Sequence, residues 1–141
     1  MVAIRRLFLG LLFTLFSSGD AAEPKAVSFA GKYEGVMRGK SAFELEVEKT
    51  PDGFTVSFSA ANDDGSGAAP DGGGVGKLNA RGELEFTFED SFGNKGRGVL
   101  KSDAKGHVLA IDITDVVEPR AIVHYGQRRM KRIAARASSK R

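Results

Sequence analysis

Few side chains in this sequence could act in acid–base or nucleophilic chemistry. Histidine occurs twice, at His107 and His124, and cysteine does not occur. A catalytic triad needs a nucleophile, a base and an orienting acid that lie together, and no Ser or Asp near either histidine marks such a set. Lack of cysteine excludes disulfides, thiolate metal sites and cysteine nucleophiles. The sequence therefore predicts a protein that is not an enzyme and has no cofactor or metal.

A glycine-rich stretch over residues 62–76 includes three carboxylates. When the stretch is aligned with a calcium-binding EF-hand loop, the first ligand position falls on Ala60, which has no side-chain oxygen. A phosphate-binding loop is excluded because no Gly-Lys-Ser/Thr sequence follows. The stretch is predicted to be a flexible hairpin loop, with a looser calcium site as the alternative. The acids that would contact a basic partner or a cation are Asp63, Asp64 and Asp71.

Basic residues are concentrated at the C-terminal end. Residues 128–141 contain seven basic side chains and no acidic one. A helix over residues 127–140 would have one apolar face and one basic face, and could lie on an anionic membrane or contact an acidic partner. The favoured interpretation is that the final strand runs on to about Arg132 and a solvated basic end follows. The predicted contact residues are Arg128, Arg129, Lys131 and Arg132.

The first residues have the features of an export signal. Arg5 and Arg6 precede an apolar run over residues 7–16, and small residues follow. This pattern predicts a secretory signal over residues 1–21, cleaved after Ala21 or, nearly as well, after Gly19. Residues 5–9 also resemble the twin-arginine export signal, but general secretion is favoured. The protein is therefore expected in the bacterial periplasm or outside the cell, and nucleic acid is not an expected partner.

The chain of 141 residues is long enough for one domain. Residues 22–127 carry 12 basic and 17 acidic side chains, a net charge of −5, whereas residues 128–141 carry +7. The net charge of +3 for the whole chain therefore hides an acidic body with a basic tail. The predicted organisation is a signal over 1–21, a β domain over 22–127 and a tail over 128–141.

Hydrophobic residues in the body recur with a period of two, which is typical of half-buried antiparallel strands. In residues 41–49, Phe43, Leu45 and Val47 alternate with glutamates, and residues 50–53 form a Pro-Asp-Gly turn before the next alternating run. The alternation predicts that the strand glutamates are solvated and do not form a glycosidase-like pair. About eight strands are predicted, over 33–38, 41–49, 54–58, 75–79, 84–89, 97–101, 107–114 and 121–125.

Eight short strands with tight connections predict an antiparallel up-and-down β-barrel, and a β-sandwich is the alternative. A barrel is favoured because closure removes exposed strand edges. An eight-stranded barrel can be filled by side chains or can hold one small ligand.

Residues 29–33, Phe-Ala-Gly-Lys-Tyr, resemble the start of the calycin barrels, the lipocalin and avidin group, with Tyr33 in place of the usual Trp. The resemblance implies a basic residue over this ring, either Arg128 or Arg129, and a small apolar ligand inside the barrel. The side chains expected near such a ligand are Tyr33, Phe43, Phe58, Phe86 and Tyr125. An aromatic ring that only plugs one end of the barrel is the alternative.

The sequence thus predicts an exported binding protein that carries a small apolar ligand. The alternative is a protein-binding module similar to the periplasmic lysozyme inhibitors, whose acidic body would complement a basic enzyme. The Ser-Gly-x-x-Tyr segment typical of those inhibitors is not present.

Overall fold

The computed structural model describes residues 28–37 and 40–133, which form a closed barrel. Consecutive strands pair antiparallel, and β8 pairs back with β1. The prediction of an eight-stranded up-and-down barrel is confirmed, and the sandwich alternative is wrong because one sheet closes on itself. The elements are β1 (Gly31–Met37), β2 (Ser41–Thr50), β3 (Gly53–Asn62), β4 (Asp71–Leu78), β5 (Leu84–Asp90), β6 (Lys95–Asp103), β7 (Gly106–Asp115), a 3₁₀ helix η1 (Pro119–His124) and β8 (Gln127–Ile133).

The period-two pattern decides which side of each strand faces inward. In β2, Phe43, Leu45 and Val47 are buried, while Glu44 and Glu48 are exposed. The predicted hairpin of β2 and β3 is confirmed, and its turn ends at Gly53, whose φ of 155° suits glycine. The strand glutamates lie outside, as the alternation predicted.

Glycines inside the barrel leave room for aromatic rings on the neighbouring strand. Phe86 pairs with Gly98, and Phe88 pairs with Gly96. A Cβ atom at Gly98 would lie 2.6 Å from Phe86 Cε1, and one at Gly96 would lie 2.6 Å from Phe88 Cζ. Carbon atoms in good contact lie about 3.5–4.0 Å apart. Only glycine therefore accommodates these rings, which fill the interior beside β6.

The prediction of the last strand is wrong. Residues 121–125 were predicted to be a strand, but Pro119–His124 form η1, and the eighth strand is β8. The Glu118 side chain caps η1 by accepting a hydrogen bond from the backbone N–H two residues on, and Pro119 begins the helix. Asn94 accepts backbone hydrogen bonds from residues 117 and 118. These contacts outweigh the local preference of the apolar run for a strand.

The glycine-rich stretch is shorter as a loop than predicted. β3 runs to Asn62 and β4 begins at Asp71, so only residues 63–70 connect them. Gly72, Gly73 and Gly74 pair with β3, and a Cβ atom at Gly74 would collide with the carbonyl oxygen of Thr87 on β5. The glycines thus allow β4 to approach its neighbours closely.

The basic segment begins as a strand. β8 takes in Gln127–Ile133, so the barrel extends past the predicted boundary at residue 127, and a helix there is wrong. A strand does extend to about Arg132, as the other interpretation expected, but it is separate from residues 121–125, which form η1. The predicted signal over residues 1–21 and the end of the tail over 134–141 lie outside the described residues. In the described part of the chain no helix is long and apolar enough to cross a membrane.

Candidate functional site

One end of the barrel contains most of the buried polar side chains. Here β1 ends, β2 begins, and η1 and the connection over residues 63–70 lie close together; we call it the η1 end. Its five polar residues with 5% exposure or less are Ser41, Asp90, Asn94, His124 and Arg128. Buried polar groups require hydrogen-bond partners, so their contacts decide whether they stabilise the fold or await a ligand.

Asp90 is the centre of one network at this end. Its Oδ2 accepts hydrogen bonds from the Tyr125 hydroxyl at 2.6 Å and from Asn94 Nδ2 at 2.9 Å. Its Oδ1 accepts the backbone N–H groups of Phe92 and Asn94, both at 2.9 Å. Burial alone would raise the pKa of Asp90, but these hydrogen bonds outweigh it and hold the pKa below its usual range. The carboxylate is saturated by the fold, and the pKa of Tyr125 is raised by burial and by this contact.

His124 is fully buried and joins η1 to two other segments. Its Nδ1 lies 2.6 Å from Ser41 Oγ, and its Nε2 lies 2.7 Å from the carbonyl oxygen of Ala68. A carbonyl can only accept, so Nε2 carries the proton and Nδ1 accepts from the Ser41 hydroxyl. Sequence reasoning found no serine beside either histidine, because these two residues are 83 positions apart. Both ring nitrogens are occupied, so the pair holds η1 in place.

Arg128 points into the barrel, with 4% of its surface exposed. Its guanidinium carbon lies 4.5 Å from the centroid of the Phe43 ring, and its Nη2 donates to the backbone carbonyl of His124. Nε and Nη1 are buried and have no hydrogen-bond partner among the described residues. Burial lowers the pKa of Arg128 to about 10. The predictions that Arg128 contacts an outside partner or packs over Tyr33 are wrong, because the alternation of β8 turns it inward.

Near the opposite end, Tyr33 is covered by an arginine. The Tyr33 hydroxyl donates to the carbonyl of Phe29 at 2.7 Å and accepts from Arg132 Nη2 at 2.6 Å. The Arg132 guanidinium carbon lies 5.2 Å from the Tyr33 ring centroid. The basic residue over this ring is therefore Arg132, and neither Arg128 nor Arg129 is, since the register of β1 and β8 pairs Tyr33 with Arg132. His107 packs edge-on against Tyr33. Burial lowers the pKa of His107, and the positive charge of Arg132 lowers it further.

The aromatic residues predicted to contact an interior ligand are all buried, and they contact other side chains. Phe43 stacks on Phe58 with 5.2 Å between ring centroids, and Phe58 meets the edge of Tyr125 at 6.0 Å. Phe86 packs against Gly98, and Tyr33 lies near the other end. The structure thus brings together three of the five, and they fill the space that a carrier would need to leave open.

The predicted acidic loop residues do not converge. Asp64 Oδ1 accepts hydrogen bonds from the backbone N and the hydroxyl of Ser66, which lower the pKa of Asp64. Asp63 donates its backbone N–H to the carbonyl of Lys40 at 2.9 Å. Asp71 is the first residue of β4. Within residues 28–37 and 40–133 there is no group of three or more His, Cys, Asp or Glu placed to hold a metal ion.

The outer surface of β2 to β5 carries acids around a floor of small residues. In the strand register Glu44 lies beside Ser59, which lies beside Asp71. Two residues further along β2, Glu46 lies beside Ser57, Ser57 lies beside Gly73, and Gly73 lies beside Glu89. With about 4.8 Å between strands, Glu44 and Asp71 are about 10 Å apart at the backbone. A shallow groove of about 480 Å³ lies over this surface and is lined by Glu44, Glu46, Ser57, Ser59 and Asp71 among others.

We call the outward acids of this surface the carboxylate wall; they are Glu44, Glu46, Glu48, Asp71 and Glu89. The ion pairs of the described chain join Arg81 to Glu83, Arg120 to Glu118, and Arg129 to Asp103. None of them involves the wall. Lys32 pairs in register with Glu46, and Lys95 pairs with Glu89, at the edges of the wall. The remaining negative charge of the wall is available to a partner.

The other basic residues predicted to contact a partner lie outside the barrel. Arg129 donates two hydrogen bonds to Asp103, at 3.1 and 3.0 Å, and holds the pKa of Asp103 at about 2. Arg129 is therefore not the residue over Tyr33. Lys131 pairs in register with Glu34. Of the predicted basic set, only Arg128 is buried, and the rest form no cluster with the loop acids.

Three of the buried polar residues, Ser41, Asp90 and Asn94, were missed, although the alternation contained a signal for two of them. Asp90 continues the inward phase of Leu84, Phe86 and Phe88, and Ser41 precedes Phe43 in the same phase. A polar residue in an inward phase marks a buried hydrogen-bonding group. The chain has no match among protein-family models, curated proteins or solved structures, so geometry alone defines its two candidate sites, the η1 end and the carboxylate wall.

Proposed function

We propose that this protein is an exported, non-catalytic binding protein that engages a basic protein through the carboxylate wall. The observation that supports the proposal is the set of five outward acids without ion-pair partners in the described chain. They flank the small residues Ser57, Ser59 and Gly73, which leave a shallow depression between the acids. Lysine or arginine side chains of a partner can lie on this floor and contact carboxylates on either side.

The filled interior favours this function over a carrier of an apolar ligand. A carrier needs an enclosed apolar cavity of about 300 Å³ or more. The inward aromatic rings instead pack on one another and on glycines. The concave regions of the wall, including the groove over β2 to β4, open to the outside and are lined largely by outward residues. Binding at the outer surface therefore needs no rearrangement of the barrel.

Charge and shape act together in this surface. Residues 28–133 carry 15 basic and 16 acidic side chains, so the barrel as a whole is nearly neutral, and the attraction for a basic protein is local to the carboxylates of the wall. Val75, 69% exposed, continues the floor of the wall beside Thr55 and offers an apolar contact. A compact basic enzyme of the cell envelope, of which lysozyme is the type, has the complementary charge. The secretory signal predicted for residues 1–21 would bring the protein to the same compartment.

Binding to chicken-type lysozyme tests the proposal. The protein and a variant with Glu44→Gln, Glu46→Gln and Asp71→Asn are titrated with lysozyme by calorimetry at low salt. We expect the variant to bind at least about tenfold more weakly, about 1.4 kcal/mol. The affinity of the unchanged protein should fall as salt is raised, because the contacts are solvent-exposed charges.

The matched control removes the same charge elsewhere, with Asp52→Asn, Asp112→Asn and Asp115→Asn, which are exposed and lie outside the wall. This control should bind as the unchanged protein does. Cytochrome c serves as a basic protein of unrelated shape and should bind much more weakly than lysozyme. No complex with lysozyme, or equal loss in the two triple variants, would contradict the proposed role of the wall.

A further inference from the structure

The outer surface where β7 and β8 lie side by side carries an excess of basic side chains. We call its exposed bases the basic face; they are Lys101, Lys105, Arg129, Lys131 and Arg132. We propose that the basic face binds the surface of a lipid bilayer that contains anionic phospholipid. The proposal goes beyond the proposed function, because β1 separates β8 from the carboxylate wall on β2 to β5.

The strand register brings these bases together on one surface. Lys101 lies beside Val108, and Val108 lies beside Arg129. Val108 alternates with the inward Leu109, yet it is only 6% exposed. Long basic side chains cover apolar surface with their stems and keep their charges in water, which accounts for the burial of an outward valine between two of them. Lys131 follows Arg129 on the same side of β8.

One nearby acid is shared by two of the bases. Asp103 accepts hydrogen bonds from Arg129 at 3.1 and 3.0 Å. The charge of Lys105 also acts on this carboxylate and adds to the lowering of its pKa. A single carboxylate cannot neutralise both bases, so this pair keeps a positive charge.

The other nearby acids also leave the basic face positive. Glu83 is close enough to Lys101 for the lysine to lower its pKa, but it already forms an ion pair with Arg81. Glu34 lies beside Lys131 in the register of β1 and β8. The five bases, taken with Asp103 and Glu34, leave a net charge of +3.

A groove of about 700 Å³ lies within the basic face and continues over β1 to β2. It is lined by four of the five bases, Lys105, Arg129, Lys131 and Arg132. Glu34 and Glu44 line its side toward β2, and Val36, 60% exposed, lies between the two charge types. Ile133, 38% exposed, continues the outward side of β8. Bases beside exposed apolar residues are typical of a surface that rests on anionic lipid, since headgroup and hydrocarbon are then both contacted.

The sequence after β8 adds charge of the same sign. Residues 134–141 carry Arg136, Lys140 and Arg141 and no acid, so the basic face and the residues that follow it total +6. The η1 end carries Asp63, Asp64 and other exposed acids and is repelled by an anionic surface. Attraction at β8 and repulsion at the η1 end together orient the barrel on the bilayer.

Sedimentation with vesicles of phosphatidylcholine, with and without phosphatidylglycerol, tests the proposal. We expect binding to the vesicles that contain phosphatidylglycerol, and this binding should weaken as salt is raised because salt screens exposed charges. Binding through the apolar run of residues 7–16 would not depend on phosphatidylglycerol, so the two kinds of vesicle separate it from the basic face.

The test variant is Lys101→Gln, Lys105→Gln and Lys131→Gln. These lysines form no ion pair among the described residues, so their replacement breaks none. Its affinity for the anionic vesicles should fall at least about tenfold, about 1.4 kcal/mol, since each base near an anionic membrane contributes to binding.

The matched control is Lys40→Gln, Lys77→Gln and Lys95→Gln, which removes the same charge from exposed positions outside the basic face. It should bind anionic vesicles nearly as tightly as the unchanged protein. The test variant should keep its binding to lysozyme, and the wall variant with Glu44→Gln, Glu46→Gln and Asp71→Asn should keep its binding to vesicles. Failure of one proposal is thereby distinguished from failure of the other.

NMR spectra with nanodiscs that contain spin-labelled phospholipid locate the contact. The amide resonances of residues 103–107 and 129–133 should broaden, and those of residues 63–70 should stay sharp. No binding to anionic vesicles, equal loss in the two lysine variants, or broadening centred on residues 63–70 would overturn the proposal. Self-association in place of vesicle binding, lost in both the test variant and the wall variant, would assign the basic face to the wall of a second copy and overturn the assignment to lipid.

Discussion

The substitution Gly98→Ala tests whether the barrel interior is filled in solution. The new methyl group would lie 2.6 Å from Phe86 Cε1, about 1 Å closer than carbon atoms in contact. The ring cannot retreat freely, because Phe86 is buried and its ring packs against that of Phe88, with 6.3 Å between the ring centroids. Overpacking of this kind costs about 1–3 kcal/mol. We therefore expect the free energy of unfolding to fall by about 2 kcal/mol in urea denaturation.

A double-mutant cycle shows whether the ring is the cause. Phe86→Leu removes the far side of the ring and leaves space for the methyl group, so the matched pair Gly98→Ala and Phe86→Leu should be less destabilising than the sum of the two changes by about 1–2 kcal/mol. Gly96 faces Phe88 instead. The mismatched pair Gly96→Ala and Phe86→Leu should therefore be nearly additive, and serves as the control.

Additivity within about 0.5 kcal/mol for the matched pair would refute the reasoning. So would a cost below about 0.5 kcal/mol for Gly98→Ala, since a hollow barrel lets the ring move aside. Either result would restore the interior as a site for an apolar ligand. The expected result would leave the outer surface of the barrel as the place where binding is to be sought.

Three further changes have defined outcomes in denaturation experiments. Tyr125→Phe should destabilise by about 1.5–3 kcal/mol at neutral pH, because it removes a hydrogen bond to a charged group. This loss of stability should shrink at acid pH. The pKa of Asp90 is lower in the folded than in the unfolded protein, so the stability that the Asp90 carboxylate contributes is present above its unfolded pKa and is lost as the pH falls through its folded pKa. A loss that stays constant down to pH 2 would contradict this. Ser41→Ala should cost about 1–2 kcal/mol by leaving His124 Nδ1 unpaired, and an unchanged midpoint would show that this contact does not hold η1. Arg132→Gln should lower the free energy of unfolding by about 1 kcal/mol, because it removes the cation from the Tyr33 ring. An effect no larger than that of substituting an exposed lysine elsewhere would refute this role.

The barrel class was predictable because the signals for it are local. In β2 and β3 the alternation of apolar and polar residues decides which face is buried, since successive side chains of a strand point to opposite sides. The Pro-Asp-Gly turn joins these strands within four residues. The solvated glutamates of the carboxylate wall follow from the same alternation. What could not be predicted from it is which outward acids stand beside one another, because this depends on strand register.

The apolar run over residues 121–125 shows where local pattern fails. It has the composition of a strand, yet it forms η1. The reason is that Asn94, in another hairpin, accepts hydrogen bonds from the backbone N–H groups of residues 117 and 118, just before η1. The prediction failed at the glycines of β4 for the opposite reason. Their composition is typical of a loop, but backbone oxygens of β3 and β5 leave no room for a Cβ atom at Gly72, Gly73 or Gly74, so glycine is what fits there in a strand.

The sequence by itself determined an all-β barrel, because the hydrophobic period is a property of neighbouring residues. The predicted acidic body did not hold, because β8 adds four basic residues to the barrel. The tertiary structure decided which polar groups meet. Ser41 and His124 are 83 positions apart, and Tyr33 and Arg132 are 99 apart. The alternation of β8 places Arg128 inside the barrel, and the pairing of β8 with β1 places Arg132 over the Tyr33 ring. Such contacts depend on the register between the two ends of the chain, which the pattern within either strand does not specify.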